Sequence, residues 1–143
     1  MTQTLTYVCK LHTSNEQAKQ IDHTLQTFAD ACNWIHETVP KRIRNRLQMQ
    51  KLVYHDVRDR FALSANLAIQ AIRRVCMNRK AAHTNKIKVV EFGASSIPYD
   101  ARIFSFRERD WTVSLTMLGS RERFELDTGD YQRGKLAGQL PNA

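Results

Sequence analysis

The stretch Thr4-Leu5-Thr6-Tyr7-Val8-Cys9-Lys10-Leu11-His12-Thr13-Ser14-Asn15-Glu16 decides the fold. Leu5, Tyr7, Cys9 and Leu11 alternate with polar residues, the period-two pattern of a half-buried strand. Thr13 then stands three residues before Glu16, a capping-box spacing that predicts the start of a helix. A lone strand running straight into a helix has no ladder of its own, so later strands must complete it.

Working outward, Ala18, Ile21, Leu25, Phe28, Cys32 and Ile35 recur at steps of three and four and form one apolar stripe. The helix should end near Val39-Pro40, where proline stops propagation. After the basic connector Lys41-Arg42-Ile43-Arg44-Asn45-Arg46, a second helix is expected from about Leu47 to Phe61, burying Val53, Tyr54, Val57 and Phe61. Ser64 is the expected N-cap of a third helix through about Lys80, with Leu67, Ala68, Ala71, Ile72 and Val75 facing inward. Arg73, Arg74, Arg79 and Lys80 should decorate its other side.

From Lys86 the texture turns to strands: Ile87–Phe92, Arg102–Phe106, Trp111–Leu118 and Arg121–Asp127. Gly119-Ser120 offers a two-residue hairpin turn between the last two. A short polar helix or turn is expected around Tyr131–Ala137. The predicted class is α+β: a small antiparallel barrel or sheet interrupted by a three-helix insertion.

Charge is as informative as periodicity. Between Pro40 and Val90 there are thirteen Lys or Arg against two acids, Asp56 and Asp59, whereas the remainder has nine against twelve. The net +8 therefore comes from one segment, whose field attracts polyanions such as nucleic-acid phosphate. At 143 residues and 42% apolar content the chain can bury a core, which argues against disorder. No run of about 18 apolar residues occurs, and Met1–Lys10 lacks the signal-peptide pattern. Cys9, Cys32 and Cys76 are far apart and form no CxxC pair, as expected of free thiols in a reducing cytoplasm.

The phosphate-binding candidates are Lys41, Arg42, Arg44, Arg46, Arg73, Arg74, Arg79, Lys80, Lys86 and Lys88. Such contacts set affinity and salt dependence without reading sequence. Asn66 and Gln70 lie one helical turn apart, and carboxamides can bond an adenine edge. Against this stand a capping role for Asn66 beside Ser64 and plain solvation of Gln70. His12, His23, His36, His55 and His83 read as solvated polar residues, because no Ser or Cys is set against them and no HExxH spacing occurs. Trp34 and Trp111 read as packing residues, and Asp100 as a turn residue. No catalytic residue, metal site or cofactor is expected.

Tyr7–Leu11, Asn33-Trp34, Leu52–His55, Leu63–Arg74, Tyr99–Arg102 and Phe104–Phe106 together resemble the N-terminal part of the transposon-encoded TnpB/OrfB proteins. These are RNA-guided nucleases related to type V CRISPR effectors. The resemblance implies a first wedge strand in 1–12, a helical recognition lobe in 13–85, remaining wedge strands in 86–128 and a linker in 129–143 towards a nuclease domain. It implies guide RNA and double-stranded DNA as partners, with a nuclease-domain chain or full-length copy as a further one; the lack of a long apolar run adds the expectation of no membrane. Tyr54, Arg58, Ser64, Asn66 and Gln70 are then the residues expected at the target-adjacent DNA motif. The family's metal-holding carboxylates and zinc element are missing, so the chain reads as a truncated copy or one half of a divided system. The rival expectations are a stand-alone DNA-binding regulator reading with the third helix, and a helical self-association module.

Overall fold

In a computed structural model, which describes residues 4–139, four strands form one open antiparallel sheet beside a layer of three long helices. The expected class, α+β with the sheet alternative to a barrel, is the one observed. Met1–Gln3 and Leu140–Ala143, the outermost parts of the expected first strand and linker, lie outside the described residues.

Strand β1 (Lys10–His12) leads into helix α1 (Asn15–Thr38), then α2 (Arg46–Phe61) and α3 (Ala65–Asn85). The chain returns through β2 (Phe104–Arg107), β3 (Thr112–Thr116) and β4 (Arg121–Asp127), and ends its regular structure with α4 (Asp130–Leu136). The spatial order is β1-β4-β3-β2, so the opening strand is completed by the last one, and the helices interrupt the sheet.

Pairing of β1 is much shorter than its alternation predicts. Lys10 pairs with Asp127, the last residue of β4, so residues 4–9 run past the end of the partner. Leu5 and Val8 are accordingly exposed. The helix start also moves by one residue: Ser14, not Thr13, is the N-cap of α1. Its hydroxyl accepts from the Gln17 N–H at 3.2 Å, and the Ser14 N–H donates to Gln17 Oε1 at 3.1 Å. Glutamine completes a capping box as well as glutamate does. The same carboxamide donates to the Arg123 carbonyl at 3.0 Å and so ties α1 to β4.

The helices bury the stripes that drew them. Phe28, Cys32 and Ile35 of α1, Met49, Val53 and Val57 of α2, and Leu67, Ala71, Ile72 and Val75 of α3 share one core. A second cluster, Val113, Met117 and Phe124, underlies the sheet, and Tyr99 packs against both. Thr24 joins the layers, donating to the Gln20 carbonyl and accepting the Leu118 N–H at 3.4 Å. The hairpin turns one residue earlier than expected, around Leu118-Gly119: Thr116 pairs with Arg121, and the Met117 N–H donates to the Ser120 carbonyl at 2.8 Å. Gly119 takes φ +77°, a left-handed value glycine adopts without strain.

The predicted strand Ile87–Phe92 is not one. Helix α3 continues to Asn85, with Lys86 in a left-handed C-cap, so the chain emerges about 30 Å from the helix start. It then runs back towards the sheet as a strap, held by side chains rather than a ladder. Asn33 bonds both backbone groups of Phe92, Arg74 holds Ser96, and Gln70 holds Asp100. Ile87 and Val90 stay exposed on it.

Candidate nucleic-acid interface

Two local devices fix the basic segment. Asn45 caps α2, its side chain accepting the Gln48 N–H at 3.0 Å. Ala62, left-handed at φ 52°, turns the chain so that Ser64 caps α3 and accepts the Leu67 N–H at 3.4 Å. The two helices then pack antiparallel, bringing the Cys76 thiol within 3.5 Å of Met49 Sδ. Burial raises the Cys76 pKa, while Lys80, Arg79 and Arg46 act on it in the opposite sense, which places all three cations around one thiol. Lys41 is likewise close enough to act on His36 at the end of α1.

The C-terminus of α1, the connector, the N-terminus of α2 and the last turns of α3 therefore meet at one end of the helical layer, away from the sheet. Lys41, Arg42, Arg46 and Lys80 are exposed there, and Arg44 is half-buried. Lys86 and Lys88 follow about two turns beyond Arg79 and are also exposed. Among the described residues the only ion pair is Arg107 with Asp110, near the sheet, so these cations make no close ion pair, and Glu37 in the last turn of α1 is the carboxylate that acts at this end. The acids of α1, Glu16, Asp22, Asp30 and Glu37, are exposed along their own helix.

Not every basic candidate belongs to this surface. Arg79 is 4% exposed, and its guanidinium is spent on His36, Val39, Pro40 and Ile43. Arg74 donates to the Ser96 carbonyl at 2.7 Å and lies over the Phe28 ring, stapling the strap to α3. Both were expected on the outer side of α3; the strap and the connector cover the sides from which they leave. Arg73 is exposed at mid-helix.

The residues expected at a DNA motif divide similarly. Tyr54 is half-buried with the Arg58 guanidinium 5.9 Å from its ring centre, and Arg58 Nε donates to the Leu63 carbonyl at 3.4 Å. Arg58 and Ser64 line a cleft of about 330 Å³ between the α2–α3 corner and the hairpin turn, with Gly119 and Ser120 opposite. Asn66 is half-buried two residues beyond Ser64. Gln70, however, is only 5% exposed and donates to Asp100 Oδ2 at 3.1 Å. It pins a turn instead of offering a free carboxamide. Arg46 and Arg58 are twelve residues apart on one helix, so the cationic end and this cleft are separated by about 18 Å.

Both tryptophans are half-buried with a guanidinium already over the ring, Arg60 on Trp34 at 4.9 Å and Arg133 on Trp111 at 5.5 Å. Asp100 also accepts the Arg102 N–H at 2.9 Å, as a turn residue does. Among the described residues no three His, Cys, Asp or Glu side chains gather as metal ligands would. A second set of cations escaped sequence reasoning. Arg121 and Arg123 alternate with the buried Phe124 and so share the outer sheet face with Arg107. There Arg121 donates to Ser114 Oγ at 2.6 Å and Arg123 to Thr112 Oγ1 at 2.9 Å. The period-two spacing of Arg121 and Arg123 was the signal; the larger charge excess elsewhere hid it. Comparison with protein-family models, with curated proteins and with solved structures finds no match to this chain.

Proposed function

We propose that this chain is a nucleic-acid-binding module without a catalytic centre, holding a sugar-phosphate backbone on the cationic end of its helical layer. The observation that carries this reading is the set Lys41, Arg42, Arg46, Lys80, Lys86 and Lys88, exposed and making no ion pair among the described residues. Phosphate contacts of this kind position a nucleic acid and make binding salt-dependent. The cleft at Arg58 and Ser64, about 18 Å away or roughly five base pairs along a duplex, is the place where a short motif is read.

On the TnpB-like reading, a guide RNA supplies most of the sequence specificity by base pairing, and the protein reads only the flanking DNA motif. Gln70 is withdrawn from that motif set because it is buried against Asp100. A cytoplasmic location goes with this reading. Sequencing the RNA that copurifies with the chain tests it: one enriched transposon-end transcript is expected. A sample of ribosomal background alone would contradict the guide-RNA reading.

Self-association through the helices is the second reading, favoured by the exposed Leu47, Leu52 and Met77. Apolar association persists at about 1 M salt, where the Debye length is near 3 Å, whereas phosphate binding does not.

A further inference from the structure

Arg79 is the most completely engaged side chain in the helical layer, and no carboxylate meets it. An arginine has five N–H donors, and all five find acceptors. Nη1 donates to the carbonyls of Pro40 and Ile43, each at 2.9 Å. Nη2 donates to those of His36 and Val39, also at 2.9 Å. These carbonyls end α1 and open the connector, where no helical partner is left for them. The fifth acceptor differs in kind: Arg79 Nε donates to His36 Nδ1 at 3.2 Å. An imidazole nitrogen accepts only while it is unprotonated.

Four groups surround that imidazole. Arg79 faces it from α3 and Lys41 from the connector, Glu37 is its neighbour on α1, and the Phe92 ring lies edge-on from the strap with centres 6.4 Å apart. Cys76 lies beside Arg79 on α3. Two cations thus act on His36 against one carboxylate.

We propose that His36 and Arg79 form a pH-sensitive latch on the cationic connector: protonation of His36 Nδ1 removes the fifth acceptor, sets two cations against each other and frees residues 40–45. That segment carries Lys41, Arg42 and Arg44, so the latch regulates how the proposed phosphate site is presented. Only this consequence rests on the function proposed above; the loosening itself is a property of the free chain. Burial, then the Arg79 and Lys41 charges, holds the His36 pKa below its usual value. The unfolded chain therefore binds the extra proton first. Latch stability is intact above the ordinary histidine range near 6.5 and is lost as pH falls through that value towards the lower folded one.

The test is a pH titration of the free full chain by NMR from about 7.5 to 4.5, spanning the histidine range. It follows the His36 ring, the Arg79 Nε–H and the amide protection of Ile43, whose N–H donates to Pro40 at 3.0 Å. The Arg79 Nε–H signal should disappear in step with His36 protonation, and Ile43 protection should fall about tenfold or more, while Phe124 in the sheet does not respond. His36→Asn puts a carboxamide oxygen where Nδ1 was and leaves the four carbonyl contacts; its connector should be insensitive to pH. The latch is refuted by constant Arg79 and Ile43 signals through the His36 titration, or by an unchanged pH response in His36→Asn. Neither result depends on nucleic acid, so failure of the proposed function reads out separately.

Discussion

A buried guanidinium that meets four carbonyls and one imidazole nitrogen, but no carboxylate, is held by geometry rather than by charge. Removing it leaves the His36, Val39 and Ile43 carbonyls without this donor, while Pro40 keeps the Ile43 N–H, and each buried unsatisfied group costs about 1–3 kcal/mol before water repairs some of them. Arg79→Met should therefore lower unfolding stability by about 3 kcal/mol in urea titration. Arg73→Met, on an exposed position of the same helix, should stay within about 0.5 kcal/mol. Equal losses for the two would contradict the placement of Arg79. The thiols report on the same core. Burial pushes the Cys32 thiol up to about 12, and Cys76 is raised as well, whereas Cys9 is half-buried outside the core. A maleimide reagent at neutral pH should label Cys9 first and reach Cys32 only when the helical layer opens. Fast labelling of Cys32 in the folded chain would be inconsistent with its packing.

At the level of elements, the caps carry the clearest prediction. Ser14→Ala should cost about 1 kcal/mol because it breaks a reciprocal capping box, while Thr13→Ala should change stability by less than about 0.5 kcal/mol. Thermal unfolding of the two variants distinguishes them, and the reverse order would restore the boundary read from the sequence. That boundary illustrates what local patterns resolve. The stripe from Phe28 to Ile35 and the run from Leu67 to Val75 announce their helices because burial follows the helical period. Ile87–Phe92 misleads because its β-branched composition says nothing about where α3 delivers it. A helix carried on to Asn85 places that run a helix length from the sheet, where Asn33 of α1 takes both backbone groups of Phe92. The shortness of β1 was equally invisible, since it is set by where β4 stops.

For the whole molecule, the charge excess between Pro40 and Val90 was legible in the sequence, but its distribution was not. Folding withdraws Arg79 and Arg74 for internal bonds and gathers Lys41, Arg42, Arg46 and Lys80 at one end. It also puts Arg58 with Ser64 at a separate cleft. Gln70 shows the same limit, for nothing local reveals that Asp100, thirty residues on, will take its amide. The central claim is that the cationic end holds phosphate, and the salt dependence of binding tests it most directly. With about six contacts to a DNA duplex, the logarithm of affinity should fall against the logarithm of salt concentration with a slope near −5. The pair Lys41→Gln and Arg42→Gln should make that slope shallower by about two. A slope near zero, or one that the pair leaves unchanged, would contradict the claim.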